Sequence, residues 1–382
     1  MSDRPVVLIC PKIPPTRDGV GDYTYRLGAE LAKRHSVTIV TTEGQQPVNG
    51  ACRIVTVPDW TASGMSRLWP LLEELQPSFI NVQWVPFLWG RWGVNVALPL
   101  MALQLRRAGY RVVTTVHEPY VPFDMWKRVP MGAVQRLELW TLLLGSAKVA
   151  VTISPWTRMF QTRFFWRKDD FFWLPVGSAI PPVAMDADER VVLRKRLGAG
   201  DRDPVVTMFN PLGTGKMLGL STKAWDAIRR RHPGAVLLLI GCDARQLAPE
   251  YFPDRSRVVC AGYVDSAEAS RLLSASDLCL APYIDGMSAR RSSVMAVMEH
   301  GVPIVSTRGR LTDSPVFRSS PLALADVDDE AGFIAEAERL AEDVSAHGAL
   351  RDALQAFYQR NFSWPVVSKE LLRHGLAAAA QS

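Results

Sequence analysis

The chain has 382 residues, 48% of them hydrophobic and 21% charged, which is the composition of a globular protein long enough for two domains. Its 44 Lys and Arg against 38 Asp and Glu give a net charge of +6, too weak and too dispersed to predict a nucleic-acid partner. No run approaches the ~20 apolar residues of a membrane span, and the five cysteines are widely spaced without a CxxC pair. We therefore expect a reduced, cytoplasmic protein without a secretory leader.

Short apolar runs alternate with amphipathic helical patterns along the first half, which predicts parallel βαβ units. Helical patterns cover 23–34 and 98–108. The composition changes to Ser, Pro and Asp at 177–188, which indicates a linker. The predicted strands before it are 6–10, 36–41, 53–57, 79–83, 111–116, 148–153 and 171–176.

The same alternation restarts after the linker. Strands are predicted at 205–209, 235–240, 257–261, 278–280 and 304–306, and helices at 221–231, 267–274 and 292–300. The expected fold class is therefore α/β, with two doubly wound Rossmann-like domains facing each other across a cleft.

The most informative stretch is 285–293, which reads Asp-Gly-Met-Ser-Ala-Arg-Arg-Ser-Ser between an apolar strand and a helix. At such a junction, unpaired backbone N–H groups and the positive end of a helix dipole point at one place. The guanidiniums of Arg290 and Arg291 and the hydroxyls of Ser288 and Ser292 add to that place. This chemistry predicts a phosphate site, and a diphosphate fits it best.

Two glycines follow the first predicted strand. Gly19 and Gly21 lie where ligands bind in open parallel sheets, and glycine there permits positive φ and close approach to backbone N–H groups. An ordinary tight turn explains the pair equally well.

Three more side chains lie at strand ends in the first half. His117 follows the strand 111–116, Gln83 ends the strand 79–83, and Trp84 follows it. An amide and an aromatic ring suit hydrogen bonding and stacking with a sugar, so we assign Gln83 and Trp84 to an acceptor site. A structural histidine and a core tryptophan remain open alternatives.

The loops of the second half also carry candidate ligand contacts. Lys216 ends a Gly-containing loop, 209–216, which does not meet the P-loop spacing but suits phosphate contact. Gly241 and Gly262 end the next two strands, and Tyr263 is placed to contact the flat face of a nucleobase. An ordinary turn role is at least as good an explanation for each of these three.

The order and spacing of these motifs together resemble the retaining glycosyltransferases of the GT-B fold, in particular the large family four (group 1). The resemblance implies that backbone at Gly19 and Gly21 approaches the donor diphosphate or sugar, that His117 binds a sugar hydroxyl, and that Lys216 neutralises the donor phosphates. It implies a nucleotide-sugar donor, a sugar or lipid-linked acceptor, and no metal or other cofactor.

The resemblance also implies the domain organisation. Residues 1–178 with 364–382 form the acceptor-side domain, and residues 179–363 bind the donor. The last helix, 366–376, returns to the first domain.

The sequence departs from the family pattern in two ways. Asn210 or Pro211 stands where the family often has an Arg before the lysine, and we expect Arg290 and Arg291 to replace that Arg. The second departure concerns the usual pair of glutamates. Ala296 stands where the second glutamate normally holds the ribose, so we expect Glu299, one turn further on, to replace it. Asp285 best matches the first glutamate and is assigned to the catalytic set with His117 and Lys216. We expect the pair 290–291 to grip the diphosphate, because planar guanidiniums suit that bidentate task.

An apparent metal motif, Asp326-Val327-Asp328, is assigned instead to capping of a helix over 330–344. The segment 156–173 interleaves aromatic and basic residues, which suits docking on an anionic membrane at the inner face. A helix packing those aromatics inward explains it equally well.

The predicted function is therefore transfer of a sugar from a nucleotide sugar, in polysaccharide, glycolipid or related biosynthesis. A non-catalytic scaffold, a nucleotide-sugar epimerase on the same fold, and a nucleotide-binding partner subunit remain as alternatives.

Overall fold

The computed structural model describes residues 4–44, 50–213 and 215–377. Thr214 of the predicted phosphate loop, and the chain ends of the predicted first domain, lie outside the described residues. The chain divides into two compact units, Met1–Pro175 with Trp364–Ser382 (unit 1) and Val176–Ser363 (unit 2).

The boundary falls three residues before the predicted one, because Val176 and Ser178 are tied to unit 2. The backbone N–H of Val176 donates to the carbonyl of Ala289 at 3.0 Å, and that of Ser178 donates to the hydroxyl of Tyr358 at 3.1 Å. Helix α15 (Trp364–Leu376) belongs to unit 1, where Arg111 donates to the carbonyls of His374 and Gly375.

Unit 1 is a seven-stranded parallel sheet with the order β3-β2-β1-β4-β5-β6-β7. Its strands are continuous apolar runs such as VVLI, because helices cover both faces of a parallel sheet. The strand order reverses between β1 and β4, where Leu8 lies beside both Ile39 and Asn81. The elements are β1 (Val6–Ile9), α1 (Gly19–Leu31), β2 (Val37–Thr42), β3 (Arg53–Val57), α2 (Ala62–Ser66), α3 (Leu68–Leu75), β4 (Phe79–Trp84), α4 (Pro86–Trp89), α5 (Ala97–Arg107), β5 (Val112–Val116), α6 (Val129–Gly145), β6 (Lys148–Val151), α7 (Ser154–Arg163) and β7 (Phe171–Trp173).

Unit 2 repeats this plan with a six-stranded parallel sheet of order β10-β9-β8-β11-β12-β13, which reverses between β8 and β11. A separate apolar core, including Leu237, Leu278 and Phe333, fills it. Its elements are α8 (Ala187–Arg196), β8 (Val205–Phe209), α9 (Leu218–Arg231), β9 (Val236–Ile240), β10 (Val258–Gly262), α10 (Ser266–Ala275), β11 (Leu278–Ala281), α11 (Ser292–Glu299), β12 (Ile304–Arg308), α12 (Ser314–Phe317), β13 (Ala323–Asp326), α13 (Glu330–Glu342) and α14 (Gly348–Asn361).

All twelve predicted strands are present, and β13 is an additional strand that the sequence pattern did not predict. The capping role predicted for Asp326 and Asp328 is wrong. Asp326 ends β13 and pairs with Arg308 at 2.9 Å, whereas Asp329 caps α13 by accepting from the N–H of Gly332. Within the described ranges, no helix has both the length and the apolar character needed to cross a membrane.

Candidate functional site

The candidate site of unit 2 lies at the reversal of its strand order. The loops that follow β8 and β11 leave the carboxyl ends of these two neighbouring strands, and α11 begins just beyond the second loop. In open parallel sheets, a crevice opens at such a reversal, because the two loops turn to opposite faces of the sheet. The phosphate candidates of the sequence, Lys216 and the 285–293 stretch, are both placed there.

The two loops are joined by a short antiparallel pairing. Lys216 bridges Tyr283, the N–H of Ile284 donates to the carbonyl of Gly215 at 2.9 Å, and that of Met217 donates to the carbonyl of Pro282 at 3.1 Å. This pairing holds the lysine and the arginine pair on one rigid support.

Lys216 and Arg291 converge on the ring of Tyr283. The Lys216 ammonium lies 5.4 Å from the ring centroid, and the Arg291 guanidinium carbon lies 4.3 Å from it. The Lys216 ammonium also donates to the carbonyl of Phe209. Stacking on an aromatic face orients each cation and reduces the rotamer entropy that it loses when it binds an anion.

Asp285 is held by arginines. Its carboxylate lies 2.7 Å from a guanidinium nitrogen of Arg310 and 3.9 Å from one of Arg290. The two neighbouring arginines therefore have different partners. Arg290 is directed to the Asp285 carboxylate, and Arg291 to the ring of Tyr283.

Two buried hydroxyls in this loop have no hydrogen-bond partner among the described residues. They belong to Tyr283 and Ser288, which are 1% and 0% exposed. Buried polar groups are normally paired, so two such atoms beside a cation pair indicate that a polar ligand completes the site. Ser292 begins α11, whose N-terminus has no side-chain cap.

Gly286 fixes the shape of this loop. Its φ is +86°, and a Cβ there would lie 2.2 Å from the backbone nitrogen of Gly309 and 2.3 Å from the hydroxyl of Thr312. Both the backbone conformation and the space therefore require glycine.

Gly286→Ala is expected to lower the free energy of unfolding by at least about 2 kcal/mol, because it adds a backbone clash to the left-handed strain. Gly109→Ala is the matched control, since Gly109 has the same φ of +86° with nothing near its Cβ. It should cost only about 1 kcal/mol in urea unfolding. An equal decrease in the free energy of unfolding of the two variants would show that the clash at Gly286 is relieved without cost.

Gly241 and Gly262 lie at the carboxyl ends of β9 and β10, with φ of +87° and +68°. The N–H of Gly241 donates to the carbonyl of Gly262 at 2.8 Å, and Tyr263 is 54% exposed. β10 and β11 are three strand spacings apart, about 14 Å. Tyr263 and Tyr283 therefore lie at two separated points along the carboxyl edge of the sheet. We call the edge between them the ledge.

The structure does not bring Glu299 to this ledge, so its predicted ribose role is wrong. Helix α11 runs from the carboxyl end of β11 toward the start of β12, and Glu299 is its last residue. It borders a cavity of about 1230 Å³ together with Asp277, which directly precedes β11, and Arg351. Glu299 thus lies at the amino ends of the strands, whereas Tyr263 follows a carboxyl end.

In unit 1, His117 ends a chain of buried hydrogen bonds. Its Nε2 lies 2.8 Å from the side-chain oxygen of Gln83, whose amide nitrogen donates to the side chain of Asn81 at 2.5 Å. The edge of Tyr23 contacts the imidazole, with ring centroids 4.7 Å apart. Burial lowers the pKa of His117 to about 3, so the ring is neutral near pH 7.

Sequence patterns missed Asn81 and Tyr23, although a polar residue inside the buried strand FINVQW was an available signal. The acceptor role predicted for Gln83 and Trp84 is wrong. Trp84 is 1% exposed and donates to the carbonyl of Pro119, and Gln83 is fully buried with His117 as a partner.

Gly19 and Gly21 lie in the first turn of α1, and neither has positive φ. The predicted backbone freedom is therefore wrong. Asp18 caps the helix and already accepts from the N–H of Gly21, whose Cβ would lie 2.7 Å from the carbonyl of Lys12. Gly21 thus serves close packing, whereas Gly19 is exposed with no atom near its Cβ and leaves open space at the helix start.

Some aromatic residues of the segment 156–173 pack inward, and others are exposed as membrane docking would require. Phe160 and Phe164 are buried in the core of unit 1, whereas Phe165 and Trp166 are 72% and 62% exposed.

Among the described residues, no group of three or more His, Cys, Asp or Glu side chains is arranged to hold a metal ion.

Two doubly wound parallel-sheet units define the class, which is the GT-B fold. Sucrose-phosphate synthase from Thermosynechococcus elongatus has this fold, with a TM-score of 0.75 at 16% identity over 99% of this chain and 100% of that one. Anabaena HepE, solved in complex with UDP-glucose, matches with a TM-score of 0.67 at 13% identity over 97% and 98%.

The family follows from the sequence matches. Residues 17–169 match Glycosyltransferase Family 4, and residues 204–358 match Glycosyl transferases group 1. Each of these two segments therefore matches a glycosyltransferase family model, and together the matches support a glycosyltransferase of the family-four, group 1 kind. It is also similar to the GDP-mannose-dependent alpha-(1-6)-phosphatidylinositol monomannoside mannosyltransferase of Mycolicibacterium smegmatis, with 25% identity over 246 residues. That match covers 62% of this chain and 60% of the relative.

Proposed function

We propose that this protein transfers a sugar from a nucleoside diphosphate sugar to a hydroxyl acceptor with retention of configuration and without a metal ion. The observation that carries the proposal is the convergence of Lys216 and Arg291 on Tyr283 at the strand reversal of unit 2. A diphosphate leaving group needs stabilisation of its developing charge, and preorganised cations supply it.

In this proposal the diphosphate lies between Arg291, Lys216 and the uncapped start of α11 at Ser292. The buried hydroxyl of Ser288 donates to it from the loop. Two cations and a helix N-terminus supply the positive charge that a divalent metal would otherwise supply. Asp285 positions Arg290 and does not contact the substrate.

The nucleoside extends along the carboxyl edge of the sheet from this point. The base lies near Tyr263, and the backbone turns at Gly241 and Gly262 let the nucleoside approach the main chain. The spacing of about 14 Å between β10 and β11 suits an extended nucleoside diphosphate.

The sugar-side chemistry depends on His117 and the open space at Gly19. In the neutral imidazole, Nε2 is hydrogen-bonded to Gln83, so the other ring nitrogen can bind a sugar hydroxyl. The departing phosphate accepts the proton of the acceptor hydroxyl on the face that it leaves, which gives retention. This route needs no paired carboxylates.

We assign the acceptor to a groove of about 530 Å³ at the carboxyl edge of the sheet in unit 1, in place of Gln83 and Trp84. Its lining includes Trp60, Trp89, Asp59 and Val96. Aromatic and apolar walls with one carboxylate suit a glycan on an apolar carrier. The M. smegmatis relative is named for a glycolipid acceptor, which supports a role in glycolipid or polysaccharide biosynthesis.

Thermal unfolding with UDP-, GDP-, dTDP- and ADP-sugars, followed by NMR of the transfer product in EDTA, tests this proposal. One donor at 100 times its dissociation constant should stabilise the fold by ~2.7 kcal/mol. The anomeric configuration of the product should match that of the donor. An inverted product, or activity that EDTA abolishes, would contradict the mechanism. Lack of binding by every donor would favour a non-catalytic scaffold.

A further inference from the structure

Unit 1 carries an exposed apolar surface that its core does not use. Among the described residues, fourteen of the twenty-one exposed large apolar side chains lie between positions 87 and 166. We call this surface the aromatic face and define it by Trp92, Trp126, Leu137, Trp140, Phe165 and Trp166. Trp126 is 79% exposed and Trp92 is 67% exposed, which is unusual for the largest apolar side chain.

Part of the aromatic face lies along helix α6. Leu137 and Trp140 lie one turn apart on its outer side, whereas Leu139 and Leu142 are buried. The ring of Trp140 lies 6.5 Å from that of Phe164, which lies 5.5 Å from that of Trp166.

The other end of the face is tied to the same helix. The side chain of Gln135 donates to the carbonyl of Trp92 at 3.1 Å. Helix α6 carries apolar residues on both its buried and its exposed side, so its sequence lacks a clear amphipathic period.

Positive charge accompanies these rings. Residues 86–108 and 120–170 contain eleven Lys and Arg against four acidic residues, although the whole chain has a net charge of only +6. Asp124 and Asp170 pair with Arg128, Lys148 and Arg167, and Glu138 is buried and accepts from the N–H of Asn95. Lys127 lies 5.6 Å from the ring of Trp126, and Arg91 lies 5.8 Å from that of Trp92.

We propose that the aromatic face docks the protein onto an anionic lipid bilayer. Tryptophan beside lysine or arginine is the chemistry of a membrane interface, where the ring enters the headgroup layer and the cation meets lipid phosphate. A second copy of the chain is a poorer occupant, because two surfaces of net positive charge would face each other. The proposal does not depend on the transfer reaction.

Cosedimentation with vesicles tests the proposal on the full chain. The wild type should bind vesicles of equimolar phosphatidylcholine and phosphatidylglycerol, and should bind pure phosphatidylcholine vesicles at least about tenfold more weakly. The triple variant Trp92→Ser, Trp126→Ser, Trp166→Ser should lose at least about tenfold in partitioning. Lys127→Glu should weaken binding, and this charge-dependent part should fade at high salt.

The matched control is Val192→Ser with Tyr251→Ser, two exposed apolar positions of unit 2 that should not alter vesicle binding. Absence of wild-type binding at low salt, or an unchanged triple variant, would overturn the proposal. A wild-type dimer that the triple variant converts to a monomer would assign the face to a protein partner instead. Donor binding should be unchanged in the triple variant, so failure here is distinguishable from failure of the proposed reaction.

Discussion

Arg291→Ala is expected to weaken binding of the nucleoside diphosphate by about 10- to 100-fold, while binding of the corresponding nucleoside changes by less than about twofold. A charge-assisted hydrogen bond to phosphate contributes about 1.5–3 kcal/mol, which corresponds to that range. The Arg291 guanidinium stacks on Tyr283, so its removal leaves the loop backbone and the nucleoside ledge at Gly241 and Gly262 in place.

Isothermal titration of each variant with both ligands measures the effect. Lys216→Ala should show the same selectivity, and the double variant should be less than additive because both cations share the Tyr283 ring. Arg291→Lys should restore only part of the affinity, because an ammonium lacks the bidentate geometry. Arg308→Ala is the matched control, since Arg308 pairs with Asp326 on the exposed surface. Equal losses for the nucleoside and its diphosphate would contradict the assignment.

His117→Ala is expected to lower kcat by about 10²- to 10³-fold without changing affinity for the nucleoside diphosphate. The reason is that a preorganised hydrogen bond at the reacting sugar is lost, while the diphosphate cations lie in unit 2. Gln83→Leu should produce a smaller loss, because it frees the imidazole without removing it. Steady-state kinetics with a saturating donor measures kcat for both variants. Titration with the nucleotide is the control for affinity. Unchanged turnover in His117→Ala would count against the sugar-binding role.

The pH dependence gives a second readout for the same residue. Burial lowers the folded pKa of His117 to about 3, below its usual value of 6.5, so kcat should show no inflexion near pH 6.5 from this group. Between those values the unfolded chain binds the extra proton, and the free energy of unfolding therefore falls with decreasing pH. This group contributes a slope of up to about 1.4 kcal/mol per pH unit, and His117→Gln should lose that contribution while keeping those of His300, His347 and His374, whose pKa values burial also lowers. Urea unfolding at pH 7 and pH 5 would detect the difference.

Most strands were predictable because they are largely apolar and a parallel sheet buries them on both faces. The reversal of strand order then brings Lys216 and the 285–293 stretch together, as Gly-containing loops after two strands predict. Individual roles within the site were less predictable. Tyr283 directly follows an apolar run and carries no motif, and only the ring–cation distances show that its ring supports both cations.

The sequence by itself determined the two α/β units, twelve of their strands and the resemblance to GT-B glycosyltransferases, because apolar periodicity and loop chemistry are local properties. Only the tertiary structure decided which polar side chains remain available to a ligand. Trp84 and Gln83 became core residues, and Glu299 lies at the far end of α11, because burial and helix direction depend on what packs around each residue. The aromatic face was decided in the same way, since apolar sequence alone does not tell a buried helix side from an exposed one.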